Sequence, residues 1–196
     1  MPDFFMHLSL FFLKKHPLKK RTPLLRTALS AALITLLAAC NSPASQCRQV
    51  ADAIRQSQAA RETFNADIEA AQIKVSGAQN IEGVQAAATD YIAAVRSVNK
   101  ALEETLQTLG RINTEDAQLN EYRESYIITL NGSKAALGTA GDSMQLVLDA
   151  KDEESLRNVF STHQTKSNRA YDDILAQDAK ESALVEQINA YCSQTP

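Results

Sequence analysis

Apolar residues recur at alternating spacings of three and four along four successive stretches of the chain, with polar residues between them. The first stretch is Cys47, Val50, Ile54, Ser57, Arg61, Phe64, Ile68, Ala71 and Val75. The second is Ile81, Val84, Ala88, Tyr91, Val95, Val98, Leu102, Thr105, Leu109 and Ile112. The third is Leu119, Arg123, Tyr126, Leu130, Ser133, Leu137, Ala140, Met144 and Val147. The fourth is Leu156, Phe160, His163, Ser167, Ala170, Ile174, Gln177, Glu181, Leu184, Ile188 and Tyr191. A 3-4 spacing puts these side chains on one stripe of an α-helix, so the pattern predicts four long helices.

The breaks between stripes carry turn and cap residues. Ser76-Gly77-Ala78-Gln79-Asn80 ends the first and Gly110 to Thr114 the second. Asn113 or Thr114 is read as the next cap, with Glu115 and Asp116 in the first turn. Asp149-Ala150-Lys151-Asp152 ends the third. Loops this short make successive helices antiparallel neighbours, which predicts an all-α, up-down-up-down four-helix bundle. Kinks are expected near Gly132–Gly141, where three glycines interrupt one helix, and near Gln177. There Asp178 with Glu181 three residues later reads as a fresh helix start.

Composition strengthens the helical reading. Four of the five prolines lie at or before Pro43 and the fifth is Pro196, leaving residues 44–195 without one. Proline removes a backbone donor and clashes with the preceding turn, so a long proline-free stretch rich in Ala, Leu, Gln, Glu and Lys favours helix. The formal net charge of −3 is unevenly spread: residues 1–39 carry +5 and the rest −8. An acidic body lacks the basic footprint that nucleic-acid binding needs, so no nucleic-acid partner is expected.

The basic residues precede a 13-residue apolar run, Thr27 to Ala39, too short to span a bilayer. A basic segment, an apolar segment and then small residues is the plan of an export signal. The run ends in Leu37-Ala38-Ala39-Cys40, which resembles the lipobox of bacterial lipoprotein precursors. The resemblance runs from the start of the chain to Cys40 and no further. It implies that Cys40 receives a diacylglyceryl thioether, that the chain is cut before it, and that the new amino group is acylated. An acidic residue after the cysteine often marks inner-membrane retention. Asn41 stands there instead, which points to the outer membrane, with the body in the periplasm. The competing readings are an ordinary signal peptide with a chance cysteine and an uncleaved membrane anchor. Phe4, Phe5, Leu8 and Leu10 to Leu13 form an extra apolar patch upstream, which suggests that translation starts at Leu13 or Leu18. The resulting division is a signal peptide over 1–39, a lipidated tether over 40–46, the bundle over 47–192 and a tail over 193–196.

With Cys40 lipidated, Cys47 and Cys192 remain, an even pair in an exported domain. In the predicted topology both fall at the same end of the bundle, so a disulfide between them is expected. Closing so long a loop stabilises by about 5 kcal/mol in the chain-entropy model. Counting along the helices leaves the fourth about eight residues too long, a difference that the kink near Gln177 is expected to absorb.

Candidate chemistry is thin. After Cys40 there is one histidine, His163, and one methionine, Met144. As haem ligands they lie on adjacent helices and out of level, and one histidine excludes a paired Glu-x-x-His di-iron site. Motifs for zinc proteases, nucleophilic serines and phosphate loops are absent. Glu103-Glu104, Asp152-Glu153-Glu154 and Asp172-Asp173 with Asp178 read as solvated faces. Arg61, Arg123 and Glu181 fall on stripe positions and are read as mutual partners, as register setters, or as a slip in the assigned phase. The expected function is a non-enzymatic envelope lipoprotein with an envelope protein partner, and no cofactor, metal or catalytic residue is assigned. The alternatives are a small-ligand binder using a cavity near Tyr91, Tyr126, Met144 and His163, and an enzyme with an unrecognised site.

Overall fold

A computed structural model describes residues 42–194, which form four helices and no strand. They are α1 (Pro43–Gly77), α2 (Ile81–Arg111), α3 (Ala117–Leu148) and α4 (Glu153–Gln194). Loops of three to five residues reverse the chain each time and give the up-down-up-down bundle. Helices of 31 to 42 residues make it roughly 45–60 Å long. The signal segment, the lipobox with Cys40, and the last two residues lie outside the described residues.

Each helix start is capped by a nearby side chain. Ser42 accepts from the Ser45 N–H with Pro43 in the first turn, so residues 43–46, expected as slack tether, are the first turn of α1. Asn80 accepts from Gly83 at 3.0 Å. The cap of α3 is Asp116, which accepts from Leu119 at 2.8 Å, rather than Asn113 or Thr114. At α4, Asp152 accepts from the Ser155 N–H while the Ser155 hydroxyl accepts from the Asp152 N–H, a reciprocal box.

The core lies where the stripes meet. Leu102, Leu109, Leu119, Tyr126 and Leu130 are wholly buried, with Val50, Ile54 and Ile188 beside them. A smaller apolar cluster of Val84, Ala88, Val147, Ala150 and Leu156 closes the end that holds the α1–α2 and α3–α4 loops. There the Gln85 amide donates to the carbonyls of Leu148 and Ala150, tying the start of α2 to the α3–α4 loop.

The opposite end is fastened covalently. Cys47 and Cys192 form the expected disulfide, with Cα atoms 5.7 Å apart. Beside it Gln46, almost fully buried, accepts from the Glu115 N–H at 3.1 Å. The Tyr191 hydroxyl donates to the Asp116 carboxylate, and the Tyr191 ring meets Tyr122 edge to face. That hydroxyl and the Leu119 N–H hold the Asp116 carboxyl below the usual range.

The surplus length of α4 lies beyond the middle of the bundle. Arg61 stands as far along α1 from Cys47 as Asp178 stands along α4 from Cys192, and the two side chains pair, so α1 and α4 are in register up to that level. The first turns of α4 instead fold over the far end, where Leu156 and Val159 join the small cluster. No helix break occurs at Gln177, and α3 runs unbroken through Gly132, Gly138 and Gly141. Two of these glycines serve close approach. A Cβ on Gly132 would stand 2.7–2.9 Å from the Gln177 amide, and one on Gly141 would stand 3.3 Å from Val95 Cγ1. A Cβ on Gly138 would meet nothing within 4 Å.

This contrast sets a test. Gly138→Ala is expected to stabilise the bundle by about 0.5–1 kcal/mol through helix propensity alone. Gly132→Ala is expected to gain somewhat less, because the flexible Gln177 amide must swing aside, and to reach the full gain when combined with Gln177→Ala. Urea unfolding of the three variants measures the difference.

Candidate functional site

The most distinctive chemistry lies in the seam between α1 and α4. This is the sparsest of the four neighbouring helix pairs, whereas α1 packs closely on α2, α2 on α3, and α3 on α4. The wider gap is filled by polar side chains at stripe positions. Tyr126, fully buried on α3, reaches between them: its hydroxyl donates to Glu181 Oε1 at 2.7 Å and accepts from the Ser57 hydroxyl at 2.6 Å. One α3 side chain thus joins α1 to α4.

Arg61 completes the cluster. Its Nη1 donates to Asp178, and its Nη2 donates to Ser133 Oγ at 2.9 Å and pairs with Glu181 Oε2. The Glu181 side chain is 8% exposed, Arg61 20% and Asp178 47%. The pair is therefore desolvated on the Glu181 side and open to water on the Asp178 side. Arg61 Nε and Glu181 Oε2 are buried without a hydrogen bond, the latter held by charge alone. Burial, opposed by Arg61, raises the Asp178 pKa, a push tempered by water reaching the half-exposed carboxyl. Burial together with the Glu181 charge drives the Tyr126 phenol well above its ordinary range, so it stays a donor at any physiological pH.

Of the residues left open in sequence, Arg61 and Glu181 are partners. Arg123 belongs elsewhere: its Nη1 donates to the carbonyls of Ile112 at 2.5 Å and Leu109 at 3.3 Å, adding to the Ile112 N–H bond that closes the end of α2. Asp178 caps nothing and instead holds Arg61. Relative height is the signal that makes this cluster readable. Measured from the two cysteines, Ser57 and Arg61 on α1 stand level with Glu181 and Asp178 on α4.

Of the four residues expected around one cavity, Tyr126 stands apart. Tyr126 and Met144 share α3 but stand about five turns apart, roughly 27 Å along the axis. Tyr126 is engaged in the seam. His163 is 3% exposed and its Nδ1 lies 3.0 Å from the Ser143 carbonyl, which makes Nδ1 the protonated nitrogen. It packs near Phe160, and the Ser143 hydroxyl meets Ser167 at 2.8 Å, so this region is an α3–α4 packing contact. Tyr91 is buried on α2, and burial lifts its pKa to about 12. Among the described residues, no group of three or more His, Cys, Asp or Glu is placed to hold a metal ion.

Three outcomes follow for the cluster. Arg61→Ala leaves Glu181 a buried, uncompensated charge and is expected to cost about 3–5 kcal/mol. Tyr126→Phe removes a donor from Glu181 and should cost about 1–3 kcal/mol. Replacing Arg61, Tyr126 and Glu181 together by Met, Phe and Leu should cost less than Arg61→Ala, because the Ser57 hydroxyl can turn its proton to the Ile54 carbonyl and Ser133 has the Thr129 carbonyl. Denaturant midpoints of the three variants give the order. His163 supplies a pH test. Burial lowers its folded pKa, against the partial support of the Ser143 carbonyl. Below its unfolded pKa of about 6.5 the unfolded chain therefore binds a proton that the folded chain refuses. Stability should be greatest above that pH and fall as pH drops below it, and His163→Gln should flatten the decline. His163 is the sole histidine among the described residues, so the window is free of other imidazoles there. No protein family, no curated protein and no solved structure matches the chain.

Proposed function

We propose that this chain is a lipid-anchored protein of the bacterial envelope whose helical body is a structural or protein-interaction module, not an enzyme. The observation that carries the reading is Leu37-Ala38-Ala39-Cys40, preceded by a basic and an apolar segment. Two features of the body fit it. The capped start of α1 comes three residues after Cys40, so an acylated Cys40 keeps the disulfide end of the bundle at the membrane surface. In addition, no helix among the described residues is long and apolar enough to cross a membrane. A dual or triple acyl anchor holds stably where a single chain does not.

With the disulfide end at the membrane, the loops at 78–80 and 149–152 form the distal tip. Partner binding in this reading uses that tip or the long faces. Asn41 favours the outer membrane. The test is acylation of the full chain in its own envelope. Radiolabelled palmitate should enter the protein, the mature N-terminus should be an acylated Cys40, and Cys40→Ala should abolish the label and leave the uncut precursor. Label that persists in Cys40→Ala, or a mature body free of lipid, overturns the reading. Asn41→Asp should move the protein to the inner-membrane fraction.

A further inference from the structure

We propose that the α1–α4 seam is a redox-locked line along which the bundle opens, with the Cys47–Cys192 disulfide as the lock and the Arg61 cluster as the latch. Three neighbouring helix pairs pack closely, and α1 against α4 is the sparsest. Over the shared apolar core, two sets of directional contacts join the two helices. One is the disulfide at the end of the bundle. The other, about four turns further along each helix, is polar: Arg61 on Asp178 and Glu181, and Ser57 linked through Tyr126 to Glu181. Polar contacts exchange readily for water, so solvation of Arg61, Asp178 and Glu181 offsets part of the cost of exposing core residues such as Val50 and Ile188 when the seam parts. Arg61 Nε, buried without a hydrogen bond in the closed bundle, gains one from water.

The hinge is the α2–α3 face. It holds the close approach of Gly141 to Val95, the Lys134–Glu103 pair, and the Arg123 bonds to the end of α2. Turning the α1–α2 pair about this face parts α1 from α4 without breaking the α1–α2 or α3–α4 contacts.

The lock is a two-electron couple. Cys192 is half-buried and Cys47 nearly fully buried, so a dithiol attacks the Cys192 sulfur. The Cys47 thiolate leaves and takes a proton. The second thiol of the dithiol then displaces Cys192, giving two protein thiols and one oxidised dithiol. The reductant class is a dithiol, small or protein-borne.

Hydrogen exchange on the full chain in detergent, oxidised and after dithiothreitol, tests this. Reduction should raise exchange at least about tenfold in α1 and α4 between the cysteines and the Arg61 level, while α2, the facing side of α3 and the total helix content are retained. Cys47→Ser/Cys192→Ser should reproduce this without reductant. Glu181→Gln should change seam exchange little in the oxidised protein and at least about tenfold more in the reduced one. Unchanged protection on reduction, loss across all four helices, or an equal effect of Glu181→Gln in both states overturns the proposal.

Discussion

The structure turns on one ion pair, the Arg61 guanidinium against Glu181, set on the stripe that elsewhere carries Val, Ile and Leu. Taking a charge from water costs several kcal/mol, and only a partner with good geometry offsets it. The fold meets this demand by bringing three helices to one height. Arg61 comes from α1, Glu181 and Asp178 from α4, and Tyr126 and Ser133 from α3. A slide of α1 by one turn, about 5.4 Å, would part the guanidinium from at least one of its two carboxylates and from Ser133. Apolar stripes tolerate such slides better than a buried charge does. The cluster therefore favours one register of α1 against α4, the same one that the disulfide holds.

The two ends are fixed in different ways, and each supports that register. At the cysteine end a covalent bond, the Gln46 side chain and the Tyr191–Asp116 bond fasten α1 and α4 to the α2–α3 loop. At the far end Gln85 ties α2 to the α3–α4 loop, and a small apolar cluster seats the extra turns of α4. Between them Gly141 lets α3 approach α2 closely at Val95. The overlong fourth helix is accommodated by extra turns at the far end, and it runs from Glu153 to Gln194 without a break.

Much of the fold was legible because its driving pattern is local. Three-four spacing, short loops and missing proline are properties of neighbouring residues, and most stripe positions of the sequence lie on the buried or half-buried face of each helix. Even Ser57, Arg61 and Glu181, polar where the stripe is otherwise apolar, belong to that face. What resisted reading depends on relative height and rotation. Tyr126 and Met144 share a stripe, which says nothing of how far apart along it they stand. Asn113, Thr114 and Asp116 can each cap a helix, and Asp116 has in addition the Tyr191 hydroxyl that arrives from α4. The anchoring motif at Cys40 is read from sequence alone, since it lies outside the described residues.

Whether the buried pair specifies the register is decided by a double-mutant cycle between Arg61 and Glu181. Arg61→Met, Glu181→Leu and the double variant are compared with the parent by equilibrium denaturation. A register-setting pair gives a coupling of about 1–3 kcal/mol, with the double variant more stable than the sum of the singles allows. Additivity within about 0.5 kcal/mol would contradict that role.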